Sequence, residues 1–404
     1  MVTISSFRFR DASIAASGLV LLVLFVCIGI EPLTGTRAAN LDDIFNSTLG
    51  FQKIFVINLP SRTDLRDSMS LAAALTGIDI EYVDGVTEID DKAIPPGAKE
   101  VNLAKGSLLA WRAHVNVLRT IVERNLSSAL ILEPDTDWDI RLKSILHSTA
   151  LATHLLLQPL SGTTSTYIDP SLPLPILPSE HPSNIAVPSF TGLTLPPSSS
   201  PYGDLSRWDV LWLGHCGTRF PRSDDTPHAA PLGRAVLRDD PSVPEQQHLD
   251  VENGGWELLT EYPAHTRVVH RAWGNTCSLG YAVSRGGARR LLFGLGVSGN
   301  VSAPADLMVR GACEGGSGGE EEGREVVTPP LECVTVQPAV FGHRRERGER
   351  RAESDVNVRV GWRERAFTRN VRWSVKGNFE RLLEGREDYV DAYPDGGERV
   401  ELGE

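Results

Sequence analysis

Short apolar runs alternate with helix-period stretches through the first third of the chain. Ile54-Phe55-Val56-Ile57 is a β-rich run that ends at Asn58-Leu59-Pro60. Four apolar residues without polar alternation suit a strand covered on both faces, as in a parallel sheet. A helical stretch follows from Ser61-Arg62-Thr63-Asp64 through Leu71 to Leu75, stopped by Gly77, and a second strand spans residues 80–83. Leu108, Trp111, Val115, Leu118 and Val122 recur at helical spacing and give residues 106–125 a single apolar stripe. Residues 129–132 form a third buried run, leading straight into Glu133-Pro134-Asp135-Thr136-Asp137-Trp138-Asp139. Strand, helix, strand, helix, strand predicts an open α/β fold with a mostly parallel central sheet. Ligands of such sheets bind beyond the carboxyl ends of the strands, where the acidic run lies.

The later pattern is less regular. Residues 158–203 are rich in Pro, Ser and Thr, carry few charges and are expected to form a long surface insertion. Trp208-Asp209-Val210-Leu211-Trp212-Leu213 predicts a strand ending at Gly214-His215-Cys216-Gly217, and residues 221–250 show no period. Residues 277–283 are strand-like, with Ser284 placed to cap a helix over 287–293. A Gly/Glu loop over 314–325, an Arg-rich stretch over 344–372 and an acidic tail over 384–404 are expected to be solvated, and there is no internal repeat.

The amino terminus is of another kind. No charge occurs from Ala12 to Ile30, with Arg8 and Arg10 before the run and Glu31 and Pro32 after it. A spanning helix needs about 20 apolar residues. The positive flank predicts a type II signal anchor over 12–30 and a cytosolic tail over 1–11, followed by a stem over 31–50 and a folded domain over 51–383. A signal peptide cut near Ala38 and Ala39 is the alternative. Either arrangement sends the remainder into the secretory lumen, as a single-pass protein of the Golgi or endoplasmic reticulum or as a secreted one. Cys27 lies in the apolar run. Cys216, Cys277, Cys313 and Cys333 leave three pairings open and form no CxxC zinc pattern. Asn46, Asn125 and Asn300 each begin a glycosylation tripeptide.

Charge narrows the partners. The chain carries 52 Asp and Glu against 40 Lys and Arg, net −12, which opposes nucleic acid. A phosphate-bearing ligand would need local Arg side chains or a divalent cation. Glu133, Asp135, Asp137 and Asp139 repel one another unless a cation sits among them. Mg²⁺ and Mn²⁺ favour such oxygens together with substrate phosphates, and alternate residues of an extended segment face one way. A solvated turn opening the helix near Ile140 accounts for the same run equally well. Asn58, Arg62, Asp64 and Arg66 follow the first strand, where a nucleotide would sit and an Arg fork could grip phosphate. A surface helix start with ion pairs has the same composition. His114 lies at the edge of the apolar stripe, where a satisfied half-buried histidine is the ordinary case. His215 and Asp209 flank a strand end, and Asp306 precedes the apolar pair Leu307-Met308.

In this order the blocks resemble glycosyltransferase family 25, in the fungal branch related to lipopolysaccharide and collagen galactosyltransferases. They are IFVINLPSRTDLRD at 54–67, YVDGV at 82–86, GSLLAWRAHVNVLRTIVERNLSSALILEPDTDWD at 106–139, WDVLWLGHCG at 208–217, CSLGYAVSRGGARRLL at 277–292 and the fainter DLMVRGACEG at 306–315. The resemblance implies a GT-A-like fold, a UDP-sugar donor (most often UDP-galactose), Mn²⁺ or Mg²⁺, and inversion at the anomeric carbon. It assigns Asn58 and Arg62 to the nucleotide and Glu133 and Asp135 to the metal and diphosphate; the residue pattern adds Asp64, Arg66 and Glu133 to the nucleotide-sugar set and Asp137 to the metal set. His114 falls on a recurrent helix histidine. Pro134 departs from the family's Glu-Asp-Asp, removing a carboxylate and a backbone N–H. An inverting transfer needs a base, for which Asp306 and then Asp209 are the candidates. The activity implied is transfer of a hexose, galactose foremost, to a glycan or protein acceptor. A catalytically impaired relative that binds glycan or a partner is the first alternative, and a hydrolase using the same carboxylates is the second.

Overall fold

The computed structural model describes residues 39–94, 103–172, 181–188, 192–225, 229–251, 254–297, 301, 303–315, 319–321, 324–326, 329–356 and 359–398. The expected cytosolic tail, anchor and Cys27, residues 31–38 of the stem, and Asn300 lie outside the described residues. Among the described residues no helix is long and apolar enough to cross a membrane.

The three apolar runs form β1 (Lys53–Asn58), β2 (Glu81–Asp84) and β3 (Ser128–Leu132), paired in parallel with β1 between the other two. Each run is followed by a helix or turn that returns the chain: α1 (Thr63–Leu75) after β1 and α2 (Lys105–Glu123) before β3. The sheet continues through β5 (Ser183–Ala186), β6 (Val210–Gly214), β7 (Gly233–Leu237), β8 (Arg267–Arg271), β9 (Gly280–Ser284) and β10 (Cys333–Gln337). Its spatial order is β2-β1-β3-β9-β6-β10-β8-β7-β5. Only β9 and β8 run against the other seven, so the carboxyl ends of β1, β3 and β6 share one edge.

Both faces are covered, which is why β3 and β6 are buried at every position. On one face Trp111, Val115, Leu118 and Ile121 of α2 pack on Phe55, Ile131 and Tyr281. Ala288 and Leu291 of α4 (Arg285–Leu292) and Val309 of α5 (Ala305–Glu314) complete that layer. Ser284 caps α4 by accepting from the Gly287 N–H at 3.0 Å. On the other face α3 (Leu142–Leu157) brings Leu146 and Ala150 against Ile54, Leu130 and Leu213.

Four expectations are corrected. The Pro/Ser-rich stretch is not wholly a surface insertion: β5 is the sheet's edge strand, parallel to β7. Tyr202, fully buried, stacks on Phe51 at 4.6 Å and donates to the Leu49 carbonyl at 2.7 Å. A four-residue edge strand needs only Ile185 facing inward, too little apolar sequence to stand out among prolines. The irregular stretch over 221–250 supplies β7. The Arg-rich stretch opens with a strand, β11 (Phe341–Arg345), which pairs antiparallel with β4 (Thr136–Trp138). This ribbon lies over the ends of β6 and β9, where a Cβ on Gly214 or Gly280 would come within 2.8 or 2.9 Å of the Phe341 side chain. Folded structure also begins before residue 51, since Ile44 and Leu49 are buried. The disulfides are Cys216–Cys277 and Cys313–Cys333.

Candidate active site

The acidic run leaves β3 at its carboxyl end and turns at once. Pro134-Asp135 form a tight turn closed by the Thr136 N–H on the Glu133 carbonyl at 3.2 Å. That turn shifts the parity of an extended segment, so the four carboxylates do not face together. Glu133 and Asp135 converge with His343 of β11, each offering a ligand atom within 4.8 Å of the others. His343 Nε2 lies 3.5 Å from Asp135 Oδ2. Arg345 Nη1 donates to the same oxygen at 2.9 Å, and the Arg344 N–H holds the Asp135 carbonyl at 2.9 Å.

Asp137 is directed elsewhere, contrary to the metal role assigned above. It is fully buried and accepts from Thr368 Oγ1 and Ser374 Oγ at 2.5 Å, the Trp138 N–H at 2.8 Å and the Lys376 N–H at 3.2 Å. Four donors saturate it, and it ties the 368–376 segment to β4. Asp139 similarly pairs with Arg141 at 3.0 Å.

Behind Glu133 runs a polar chain from α2 to β9. Ser278 Oγ donates to Glu133 Oε1 at 2.7 Å, and His114 Nε2 lies 3.9 Å from that oxygen. His114 Nδ1 meets the Tyr281 hydroxyl at 2.9 Å. Asp306, at the start of α5, accepts the Cys277 N–H at 2.7 Å and acts electrostatically on both His114 and Glu133. The Cys216–Cys277 disulfide therefore touches both flanks, since Cys216 Sγ is also 3.6 Å from His343 Nδ1.

Burial and then the Asp135 charge push the Glu133 carboxyl up to about 7. Asp135 stays below the usual carboxylate range: burial opposes its charge, but His343, Arg345 and Lys376 outweigh it. Burial lowers His343 to about 4, so at neutral pH it is uncharged and the two cations do this work. Burial likewise keeps His114 neutral, with a value near 4. Two carboxylates and a neutral imidazole suit a divalent cation in kind and spacing. Arg345 covers one oxygen of Asp135 and leaves the other to an ion. Glu133 keeps 28% of its side chain exposed, the face a ligand would meet.

The nucleotide candidates share this edge. Val56 pairs with Leu132, so Asn58 stands level with residue 134. Asn58 is buried and donates from Nδ2 to the Leu59 and Arg62 carbonyls at 2.8 and 3.3 Å, while its Oδ1 has no partner. A buried acceptor without a donor calls for one from a ligand or water. Arg62 is held by Asp64 at 2.8 Å and by Asp355 at 2.6 Å. Arg66 stacks over Tyr82 at 4.2 Å.

Asp209 is not brought to the site. It lies at the amino end of β6, roughly 15 Å of strand away from the carboxyl edge, and pairs with Arg290 at 2.5 Å and the Glu332 N–H at 3.0 Å. His215 follows β6 and holds the Val336 carbonyl at 2.8 Å. Sequence reasoning missed His343, Arg345 and Lys376; Arg345 lies within the stretch taken as solvated, and the other two lie just outside its ends. The one available signal was Val340-Phe341-Gly342-His343, the end of an uncharged run that leads into the Arg-rich stretch.

No family model matches this chain. It is 31% identical over 122 residues to procollagen galactosyltransferase 1-B of Xenopus laevis, covering 26% of this chain and 20% of that protein. It is 26% identical over 146 residues to procollagen galactosyltransferase 1-A of the same organism, covering 32% and 24%. The chain thus spans about a fifth to a quarter of the length of these relatives. The similarity is distant, and it is to galactosyltransferases.

Proposed function

We propose that this chain is a glycosyltransferase that moves a hexose, galactose foremost, from a UDP-sugar to a glycan or protein acceptor in the secretory pathway. The observation that carries the reading is the convergence of Glu133, Asp135 and His343 beside Asn58 and Arg62 at one sheet edge. The mixed α/β sheet with this edge site supports reading the fold as the GT-A-like arrangement that family 25 membership would require. The apolar amino-terminal run would anchor the chain as a type II protein or be removed on secretion.

Glu133, Asp135 and His343 would hold Mn²⁺ or Mg²⁺, which when bound neutralises the charge that develops on a departing diphosphate. His343 supplies from β11 the third ligand that Pro134 cannot. Arg345 and Lys376 keep Asp135 ionised, and Lys376 Nζ also fixes the turn through the Pro134 carbonyl at 3.2 Å. Asn58 Oδ1 would accept an N–H from the base, and Arg62 would meet phosphate on leaving Asp355. The acceptor hydroxyl oxygen attacks the anomeric carbon in line, the bond to the diphosphate oxygen breaks with its electron pair, and the hydroxyl proton passes to a carboxylate. Asp306, which acts electrostatically on Glu133, would receive it.

The alternative is a catalytically impaired binder, favoured by Pro134 and by the Asp355 carboxylate seated on Arg62. Incubation with UDP-galactose and Mn²⁺, following UDP release with and without chelator, separates the two. Metal-dependent release supports the enzyme. No release with any UDP-sugar, together with no donor binding by calorimetry, overturns it.

A further inference from the structure

We propose a second divalent-cation site, suited to Zn²⁺, formed by Glu245, His265 and Asp395. These residues come from three separate segments: Glu245 follows β7, His265 precedes β8, and Asp395 lies near the carboxyl terminus. Their ligand atoms fall within 4.8 Å of one another.

The imidazole is what distinguishes the cluster from a chance meeting of acids. His265 Nδ1 lies 2.7 Å from the Val243 carbonyl, and a carbonyl can only accept, so Nδ1 carries the proton. Nε2, the ring nitrogen left for a metal ion, then faces Asp395 Oδ1 at 3.7 Å. Fixing the remote ring nitrogen on a backbone carbonyl is how ligating histidines are oriented toward a metal. His265 also holds left-handed backbone, φ 58°, a conformation that costs a non-glycine residue energy and persists where the surroundings enforce it.

The two carboxylates are prepared for an ion. The Gly396 N–H at 2.8 Å and Gln247 Nε2 at 3.1 Å both reach Glu245 Oε2, which leaves Oε1 to a ligand. Arg372 touches Asp395 Oδ1 at 3.0 Å but is held independently by Asp391 Oδ2 at 2.5 Å and the Pro241 carbonyl at 3.1 Å. Asp395 can therefore give Oδ1 or Oδ2 to a cation without stranding the guanidinium. One imidazole and two carboxylates make a three-ligand zinc set with a fourth position for water. The ion would clamp the carboxyl-terminal stretch, where Gln247 Nε2 already reaches the Gly397 carbonyl at 3.0 Å, onto the β7–β8 side of the sheet.

The test uses the full chain carrying Asp135→Asn and His343→Ala, so that the candidate active site does not bind. The chain is stripped of metal and titrated with Co²⁺, read by visible absorption, then with Zn²⁺ in competition. One equivalent with a tetrahedral Co²⁺ spectrum is expected. His265→Asn, chosen because Asn tolerates left-handed backbone, should weaken uptake by at least about tenfold, and Glu245→Gln by a similar factor. No uptake in the host variant, or uptake unchanged by His265→Asn, overturns the proposal.

Discussion

Asp137 and Asp135 are two residues apart, and the structure gives them opposite work, so exchanging each for Asn should separate stability from metal binding. Asp137 takes two hydroxyl and two backbone donors and is fully buried. Hydrogen bonds to a charged acceptor are worth about 1.5–3 kcal/mol each in net terms, and bonds sharing one carboxylate do not add. Asn keeps one acceptor oxygen and turns a donor toward Thr368 and Ser374, whose hydroxyls can rotate to accept. A loss of roughly 2–4 kcal/mol follows, or roughly 4–8 °C in Tm at about 2 °C per kcal/mol for a large domain. Divalent-cation affinity of the folded protein should be unchanged. Asp135→Asn should abolish Mn²⁺ binding at this site at a smaller cost in stability, since Arg345 and Lys376 lose one charged partner but keep the Glu353 and Pro134 carbonyls. Calorimetric unfolding and Mn²⁺ titration of both variants give the readout. If Asp137→Asn loses Mn²⁺ while keeping its Tm, the parity argument at Pro134-Asp135 is wrong.

Other consequences are simpler to state. Asp240 lies below its ordinary value because Arg267 at 2.7 Å and Ser242 outweigh its burial. A depressed folded value adds stability that is complete above the ordinary Asp range near 3.9 and is lost as pH falls through the folded value. Asp240→Asn should therefore flatten the acid limb of stability below about pH 4, which chemical denaturation at stepped pH would show. Replacing Cys216 and Cys277 by Ser should cost about 2–4 kcal/mol and also weaken Mn²⁺ binding, because His343 and Asp306 each lose a restraint; unchanged affinity would mean the disulfide has no part in the site. Asp355→Asn should tighten UDP binding about two- to fivefold in calorimetry, the worth of one half-exposed ion pair on Arg62, and a weaker affinity would place the phosphate elsewhere.

Much of the positioning frame was legible because burial on both faces leaves continuous apolar runs. Residues 54–57 and 129–132 announced β1 and β3, and the stripe of Trp111, Val115 and Leu118 announced α2. The location of the acidic run at a strand's carboxyl end was equally readable. Which carboxylates converge was not, because one turn reverses the facing of everything after Pro134. Nor could sequence join His343 to Asp135 across some two hundred residues, since that contact depends on β4 pairing with β11. β5 was hidden for a different reason: an edge strand buries one residue, and prolines surround it. The disulfide pairing needed the fold itself, with Cys216 after β6 brought beside Cys277 before β9.

The central claim is that Glu133, Asp135 and His343 hold a divalent cation for a nucleotide diphosphate. Calorimetric titration of UDP in the presence and absence of Mn²⁺, on the native chain and on His343→Ala, tests it most directly. Mn²⁺-dependent UDP binding that is lost or weakened by at least about tenfold in His343→Ala is the predicted result. UDP binding that needs no metal, or that is indifferent to His343, would contradict it.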